Sequence, residues 1–253
     1  MSILQQAGIE NAAREAAWIV KYGKGDLLKL ARRRANGEPL QYLLGEWEFY
    51  GYPFKVGKGV LIPRPETELL VDLAKEYCHR DSEVKDLCAG SGCVGITLAK
   101  ETKCYVYAVE KSPEAIGYLK KNIELNNVQN RVQIVERNIL SHIEWYKIMQ
   151  RHSQNRVVLI NPPYLSADEM ANLQREVTHE PRAALDGGGA DGLNFYRNFF
   201  EKWGAGLQFN ALTACEVGDA QAEAVCEMFE RVGLRPQTLR DLGGIERVVY
   251  NVH

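Results

Sequence analysis

Asn161-Pro162-Pro163-Tyr164 is the stretch of this chain best equipped for chemistry. Its two prolines fix φ and offer no N–H, so the loop is stiff and its carbonyls point outward. Asn161 supplies one side-chain acceptor and two donors, and the Pro162 carbonyl adds a second acceptor. Together they can hold a planar –NH2 group by both hydrogens. Tyr164 offers a ring face on which a planar amide or base can stack. Two acceptors on an amide –NH2 favour loss of planarity and free the nitrogen lone pair to attack an electrophilic methyl in line. Catalysis of that kind comes from proximity, orientation and electrostatics. No strong base is needed first, because the proton can leave after the methyl arrives.

A second constellation lies upstream, in Asp86-Leu87-Cys88-Ala89-Gly90-Ser91-Gly92-Cys93-Val94-Gly95. Gly90, Gly92 and Gly95 spell G-x-G-x-x-G at a predicted strand-to-helix turn. Glycines there allow a sharp bend and close approach of a ligand to the backbone. The helix N-terminus adds unpaired N–H groups and positive potential. Glu110 lies 20 residues beyond Gly90 and ends the next predicted strand. A carboxylate so placed can accept hydrogen bonds from ribose hydroxyls. A dinucleotide would fit this fingerprint. Asp86, however, ends the first strand before the glycines, where it would repel a pyrophosphate and suit a ligand with an amino group. S-adenosylmethionine (AdoMet) carries a ribose, an ammonium and a sulfonium but no phosphate. A second literal match, Gly187-Gly188-Gly189-Ala190-Asp191-Gly192, follows Pro181-Arg182-Ala183-Ala184 rather than a buried strand. It reads as a flexible loop before a helix.

Both loops need a scaffold that brings them to one edge. From Glu83 the pattern alternates, with strands at 84–87, 104–109, 132–135, 157–160 and 212–217. Helices are predicted at 92–101, 113–126, near 142–151, at 193–203 and at 220–232. Ser112 as N-cap followed by Pro113 marks one of the helix starts. Such alternation predicts an α/β fold, a parallel sheet with helices on both faces. Two last strands, at 237–241 and 247–252, are separated by little more than Leu242-Gly243-Gly244. A hairpin there makes one of them antiparallel and completes a seven-stranded sheet.

Upstream, residues 8–22 and 26–36 read as helices. Residues 1–45 hold seven Lys/Arg against four Asp/Glu, and Arg32-Arg33-Arg34 reads first as a solvated helix face and second as a contact for an anionic partner. Residues 46–62 are rich in aromatics broken by Gly and Pro, which predicts a β-hairpin. Pro63-Arg64-Pro65-Glu66 then opens a helix over 67–79. The chain has 253 residues, 45% hydrophobic and 25% charged, which excludes disordered and collagen-like classes. Net charge is −2, which argues against a grip on a long nucleic-acid backbone. No apolar run reaches the roughly 18–20 residues of a membrane span, and no signal peptide is expected. The six cysteines form no C-x-x-C, and no His pair stands near them at zinc spacing. Reduced thiols in a cytoplasmic protein, and no metal, are the expectation.

On these residues the chain resembles class I AdoMet-dependent methyltransferases bearing the N-P-P-Y motif. More closely it resembles the HemK/PrmC family, which methylates glutamine N5 in class-I peptide chain release factors. The resemblance runs over nearly all of residues 37–253. It is carried by Gly37-Glu38-Pro39-Leu40-Gln41-Tyr42, Glu48-Phe49-Tyr50-Gly51, Leu61-Ile62-Pro63-Arg64-Pro65-Glu66-Thr67-Glu68, the 86–92 loop, residues 161–164, and Glu180-Pro181-Arg182-Ala183-Ala184-Leu185-Asp186-Gly187. It implies a mostly parallel, seven-stranded Rossmann-like class I methyltransferase sheet. It implies AdoMet as methyl donor, S-adenosyl-L-homocysteine as product, and the Gly-Gly-Gln motif of a release factor as substrate, so that methylation modulates translation termination. Asp86, Leu87, Cys88, Ala89, Gly90, Ser91, Gly92 and Glu110 are then the AdoMet-binding residues, with Asn138 and Ile139 beside the adenine. Asn161 borders the cofactor as well, and Arg64, Pro65 and Thr67 help close its pocket. Asn161, Pro162, Pro163 and Tyr164 hold the glutamine amide, with Asn161, Pro162 and Tyr164 as catalytic residues and Leu61 lining the glutamine channel. The implied organisation is a short helical substrate-docking region at 1–45, a hairpin linker at 46–62 and a methyltransferase domain at 63–253. Cys88 stands where many relatives have Gly, and Asn138 where Asp is more usual. With 36 residues before Gly37, two helices of a larger N-terminal bundle are expected. The implied partner is the release factor itself, engaged by a monomer without direct contact to nucleic acid or membrane.

Three other readings compete. An adenine N6 or guanine N2 methyltransferase could use the same tetrapeptide on a base –NH2. The lack of a second recognition domain and of a basic balance opposes it. A nicotinamide oxidoreductase rests on the literal glycine fingerprint and is opposed by Asp86 and the N-P-P-Y loop. A catalytically idle binding module would need a defect in a key residue, and only Cys88, Asn138 and the short N-terminal region stand out.

Overall fold

The computed structural model of this chain describes residues 2–141 and 155–253. The helix expected near 142–151 lies outside them. The N-terminal region holds α1 (Ile3–Gln6), α2 (Ala12–Tyr22), α3 (Leu27–Ala35) and α4 (Leu40–Leu44). The sequence pattern predicts α2 and α3 but not α1 or α4, which at four and five residues are too short to display a helical period. Asp26 caps α3 by accepting from Lys29 N at 3.1 Å. These helices bury Leu4, Ala12, Ile19, Leu30, Leu40 and Leu43 in a small core of their own. The Arg32-Arg33-Arg34 run departs from the solvated face expected of it. Arg34 is only 6% exposed, its Nε 2.5 Å from Glu15 Oε2 and its Nη1 2.9 Å from Glu176 Oε1. One arginine of the run therefore clamps two N-terminal helices to the segment that follows the Asn161 loop.

A hairpin of β1 (Glu46–Phe49) and β2 (Tyr52–Lys55) comes next. Tyr50 and Gly51 form its two-residue turn with φ of 54° and 74°, the left-handed pair such hairpins require. Tyr50 tolerates that conformation because it is tied down. Its N–H donates to Glu68 and its hydroxyl to Asp72 at 2.6 Å. The hairpin ends at Lys55, so residues 56–62 are not part of it, contrary to the expected 46–62 span.

The main sheet comprises β3 (Glu83–Leu87), β4 (Tyr105–Glu110), β5 (Val132–Glu136), β6 (Arg156–Ile160), β7 (Leu212–Glu216), β8 (Gln237–Arg240) and β9 (Glu246–Val252). Their spatial order is β5-β4-β3-β6-β7-β9-β8, and only β9 runs antiparallel to its neighbours. Flanking it are α5 (Glu68–Tyr77), α6 (Cys93–Thr102), α7 (Pro113–Leu125), α9 (Asn194–Leu207) and α10 (Ala222–Arg231), while α8 (Ala167–Ala171) lies in the segment after β6. Helices on both faces explain why β6 reads as an unbroken apolar run. Val157 and Leu159 join Leu70, Ile96, Leu98 and Leu119 in one core. Val158 and Ile160 join Tyr196, Phe199 and Phe229 in the other. All six cysteines are free. Among the described residues, no helix is long and apolar enough to cross a membrane. Strand order reverses between β3 and β6, and in such sheets ligands bind in the crevice opened there at the strands' carboxyl ends.

Candidate active site

Asp86 lies in β3 and Asn161 directly follows β6, the adjacent parallel strand, with Asp86 opposite Leu159 and Leu87 opposite Ile160. The loops after β3, β4 and β6 therefore emerge at one edge. With residues 59–64 they border a single cavity. Of the residues expected at the site, Leu61, Arg64, Thr67, Asp86, Cys88, Ala89, Gly90, Ser91, Glu110, Asn138, Ile139, Asn161 and Pro163 line it. Five expected residues do not. Leu87 alternates to the opposite face of β3 and is fully buried in the core. Gly92 is the N-cap of α6, Pro65 is exposed at the start of a 3-10 turn, and Pro162 is buried. Tyr164 turns its hydroxyl to within 3.4 Å of Glu216 Oε1.

Asp86 is buried at the cavity wall, 3% exposed. Burial pushes its carboxyl up from 3.8 to about 7; the Gly95 N–H, donating to Oδ2 at 3.0 Å, works against that rise and the nearby Glu110 adds to it. Gly95 is required by this approach, since a Cβ there would lie 2.8 Å from Asp86 Oδ2 and 2.7 Å from Val106 Cγ1. Glu110 accepts from Gly90 N at 2.9 Å with Oε2, and from Lys111 N and Ser112 N at 2.7 and 2.8 Å with Oε1. It thus fixes the glycine loop to the end of β4. Three of its roughly four acceptor sites are used, leaving one for a ligand hydroxyl. Cys88 sits between the two acids with φ of 63°, a conformation that favours glycine.

The Asn161 loop is held from three sides. Asn161 Nδ2 donates to Thr67 Oγ1 at 3.1 Å. Gln221 Nε2 donates to the Tyr164 carbonyl at 2.8 Å and the Asp191 carbonyl at 3.0 Å. Leu165 N donates to the Leu185 carbonyl at 2.8 Å, and Gly187 N to the Leu165 carbonyl at 3.1 Å. A Cβ at Gly187 or Gly192 would overlap the Tyr164 and Leu165 backbone. The second glycine fingerprint is therefore a packed brace under Tyr164 and not the slack loop the sequence suggests. Glu180 ties the 180–187 run to the 61–68 run. Its carboxylate accepts from Ile62 N at 3.0 Å and from Arg64 Nη2 at 2.5 Å.

Three polar residues at this site escape sequence reasoning. Glu180, Glu216 and Gln221 are each under 9% exposed, yet none belongs to a motif with an evident ligand. Only Glu180 carried a signal, as part of the Glu180–Gly187 run in which the family resemblance lies. The cavity holds no cation that neutralises Asp86 by contact among the described residues. Its donor set, one buried carboxylate of high proton affinity plus a second with a free acceptor position, fits a ligand bearing an ammonium and a ribose.

The family model described as the TRM5/TYW2 methyltransferase domain matches residues 71–177. The release factor glutamine methyltransferase of Geobacter sulfurreducens is 36% identical, the match spanning 97% of this chain and 91% of that protein. That of Thermodesulfovibrio yellowstonii is 38% identical over 87% of this chain and 78% of that protein. Among solved structures, the hMettl16 catalytic domain in complex with MAT2A 3'UTR hairpin 6 superposes with a TM-score of 0.63 at 15% identity, covering 91% of this chain and 82% of that one. A methyltransferase from Pyrococcus furiosus gives 0.57 at 17% identity, over 81% and 90% of the two chains. These two share the fold.

Proposed function

The chain belongs to the release factor glutamine methyltransferase family, and from that premise we propose how its cavity performs the reaction and which residues carry it. It is an AdoMet-dependent methyltransferase acting on release factor glutamine. One observation carries the assignment of the site: the loop after β3 and the loop after β6, from neighbouring parallel strands, border the same cavity.

In this reading Asp86 faces the ammonium of AdoMet, Glu110 the ribose, and Asn138 and Ile139 the adenine. AdoMet supplies a methyl on a positively charged sulfur, an electrophile that needs no further activation. Asn161 Oδ1 and the Pro162 carbonyl accept the two hydrogens of the glutamine amide. They hold it oriented and turn its nitrogen lone pair outward, and orientation of this kind accounts for most of the rate. The amide proton departs after the nitrogen has gained its methyl. Tyr164, which does not line the cavity, secures the far end of the loop by its hydroxyl's approach to Glu216, and the Gln221 brace keeps the loop rigid while this happens. The target is the glutamine N5 of a Gly-Gly-Gln motif in a class-I release factor. The protein acts as a monomer in the cytoplasm and touches no nucleic acid directly.

Residues 1–45 serve as the docking region in this proposal, joined by the 46–62 linker to the 63–253 catalytic domain. A groove between the N-terminal helices and the catalytic domain supports this. Trp18, Trp47, Arg14 and Val177 line it, and it shares Ile62 and Arg64 with the cavity. Incubation with AdoMet carrying a labelled methyl and a purified release factor should label the glutamine of Gly-Gly-Gln, read by mass spectrometry. Asn161→Ala should lower turnover while AdoMet affinity by calorimetry holds. Label on naked RNA or DNA in place of the protein would favour the base-methylating alternative.

A further inference from the structure

Arg64 stands where two concavities meet and has no task in the transfer of the methyl. It lines both the cavity bordered by the β3 and β6 loops and the groove beside the N-terminal helices, as does Ile62. The wall these two residues form is pinned at every second position. Tyr42 of α4 donates its hydroxyl to the Val60 carbonyl at 2.5 Å. Ile62 N donates to Glu180 Oε2 at 3.0 Å, and Arg64 Nη2 donates to Glu180 Oε1 at 2.5 Å. Each oxygen of one carboxylate thus serves a different donor. The Glu180 side chain is 2% exposed and that of Arg64 30%. A carboxylate buried that deeply needs its cation, so Arg64 is not free to swing away. Glu180 lines the groove and not the cavity. The bond therefore draws the guanidinium to the groove side of the wall.

A guanidinium has five N–H groups in a fixed fork. One goes to Glu180, and the other four meet no acceptor among the described residues. The Glu180 charge offsets that of Arg64, so what faces outward is a set of rigid donors with little net charge behind them. Such donors suit a neutral acceptor better than an anion. The groove agrees, since four glutamates line it against three arginines, a balance that disfavours an anionic guest. The neutral acceptor every peptide carries is its backbone carbonyl, and glycines leave theirs uncovered. We propose that Arg64, aimed by Glu180, binds the substrate: it donates to the backbone carbonyl of a glycine preceding the target glutamine as that segment passes from the groove into the cavity. Glu180 is then a positioning residue that acts through Arg64. This rests on the reading above of Gly-Gly-Gln as the substrate and of the groove as its docking surface.

The test is steady-state methyl transfer to a release factor, with AdoMet affinity measured by calorimetry in parallel. Arg64→Ala should lower kcat/KM for the release factor by roughly 10–100-fold, the loss of one hydrogen bond from a charged group, and the change should fall on KM. AdoMet affinity should stay within about threefold of wild type. Arg64→Lys keeps a cation beside Glu180 without the outward arm of the fork, and should fall similarly. It decides the matter if Arg64→Ala does not fold. Glu180→Gln offers one acceptor where two donors need one each, so it should show the same pattern in weaker form. The double variant should be no worse than Arg64→Ala alone, and additive losses overturn the positioning role of Glu180. The ratio of wild type to Arg64→Ala should hold between about 50 and 300 mM salt, as for a neutral acceptor. A ratio that collapses with salt would mean an anionic group on the release factor and overturns the carbonyl contact. Weakened AdoMet binding with an unchanged KM for release factor would give Arg64 to the cofactor's carboxylate and overturn the proposal. If the Arg64 variants are normal while Asn161→Ala is impaired, the role of Arg64 alone is wrong. If Asn161→Ala is itself normal, the reading of the site beneath it is wrong.

Discussion

The protonation of Asp86 gives the sharpest test of the cofactor site. Folding raises this carboxyl from 3.8 to about 7, chiefly by burial. A ligand that presents an ammonium to it requires the ionised form. Binding must therefore expel a proton whenever the pH lies below that value. For a site titrating near 7, the fraction of ionised protein predicts an affinity about eightfold weaker at pH 6.0 than at pH 7.5, or about 1.3 kcal/mol. Calorimetry at both pH values, in buffers of different ionisation enthalpy, reads the affinity and the released proton together. Asp86→Asn should bind weakly and without this pH dependence, since the amide still accepts from Gly95 but carries no charge. Stability gives an independent reading, and its sign is fixed. A carboxyl with a raised folded-state value contributes stability when protonated, present below about 4 and lost as pH rises through about 7. The empty protein should thus lose stability across that window, and the thermal shift produced by AdoMet should widen across it. Equal AdoMet affinity at the two pH values in wild type, or the same slope in Asp86→Asn, would refute the assignment of Asp86 to the ammonium.

Gly95→Ala sets two magnitudes against each other. Helix propensity favours alanine by about 1 kcal/mol. The added Cβ would meet Val106 Cγ1 at 2.7 Å and Asp86 Oδ2 at 2.8 Å, both fully enclosed. Overpacking of that kind costs about 1–3 kcal/mol, so denaturant melts should show net destabilisation together with weakened AdoMet binding. A more stable variant with intact AdoMet affinity would contradict the close approach. Arg34→Ala leaves Glu15 and Glu176 facing each other without the cation between them. Hydrogen exchange should speed up across α2 and α3, and the KM for release factor should rise while AdoMet affinity stays constant. Unchanged exchange there would show that the N-terminal helices hold without the clamp.

The sheet was legible because its cause is local. β4 and β6 are short, largely apolar runs bounded by turn residues, β3 and β5 carry apolar residues among polar ones, and the regular alternation of such segments with helical ones is the signal sequence expresses best. The closing pair could be read because only a few residues separate β8 from β9, too few for a crossover helix. The first glycine loop was legible because strand, acid and glycines occur together within ten residues. The second misled because the same letters arise from a different need. Gly187 and Gly192 are small so that the backbone at Tyr164 and Leu165 can approach. Arg34 was misread for the reason long-range pairs usually are. Its partners lie 19 and 142 residues away, and nothing in Arg32-Arg33-Arg34 says which of the three turns inward. Glu216 left no trace either. A single acid at the end of a strand becomes informative only when the fold sets Tyr164 against it.

Cys88 shows how closely backbone and charge are joined at this site. Its φ of 63° costs an L-residue with a Cβ roughly 1–2 kcal/mol that glycine would not incur. The turn cannot relax, because Glu110 grips Gly90 on one side and Asp86 grips Gly95 on the other. Two carboxylates thus hold the ends of one loop, and a third, Glu216, stands at the end of the strand beyond Asn161. Burial raises Asp86 and Glu216 to about 7. A fold selected only for stability would replace both with neutral residues, because each opposes folding wherever it ionises. Asp86 borders the cavity, and its placement there makes sense if an ionised carboxylate is needed to meet a cationic ligand, while Glu216 lies behind the loop that carries Tyr164. A perturbed acid lining a cleft is the pattern expected of a working site, and Asp86 is such an acid.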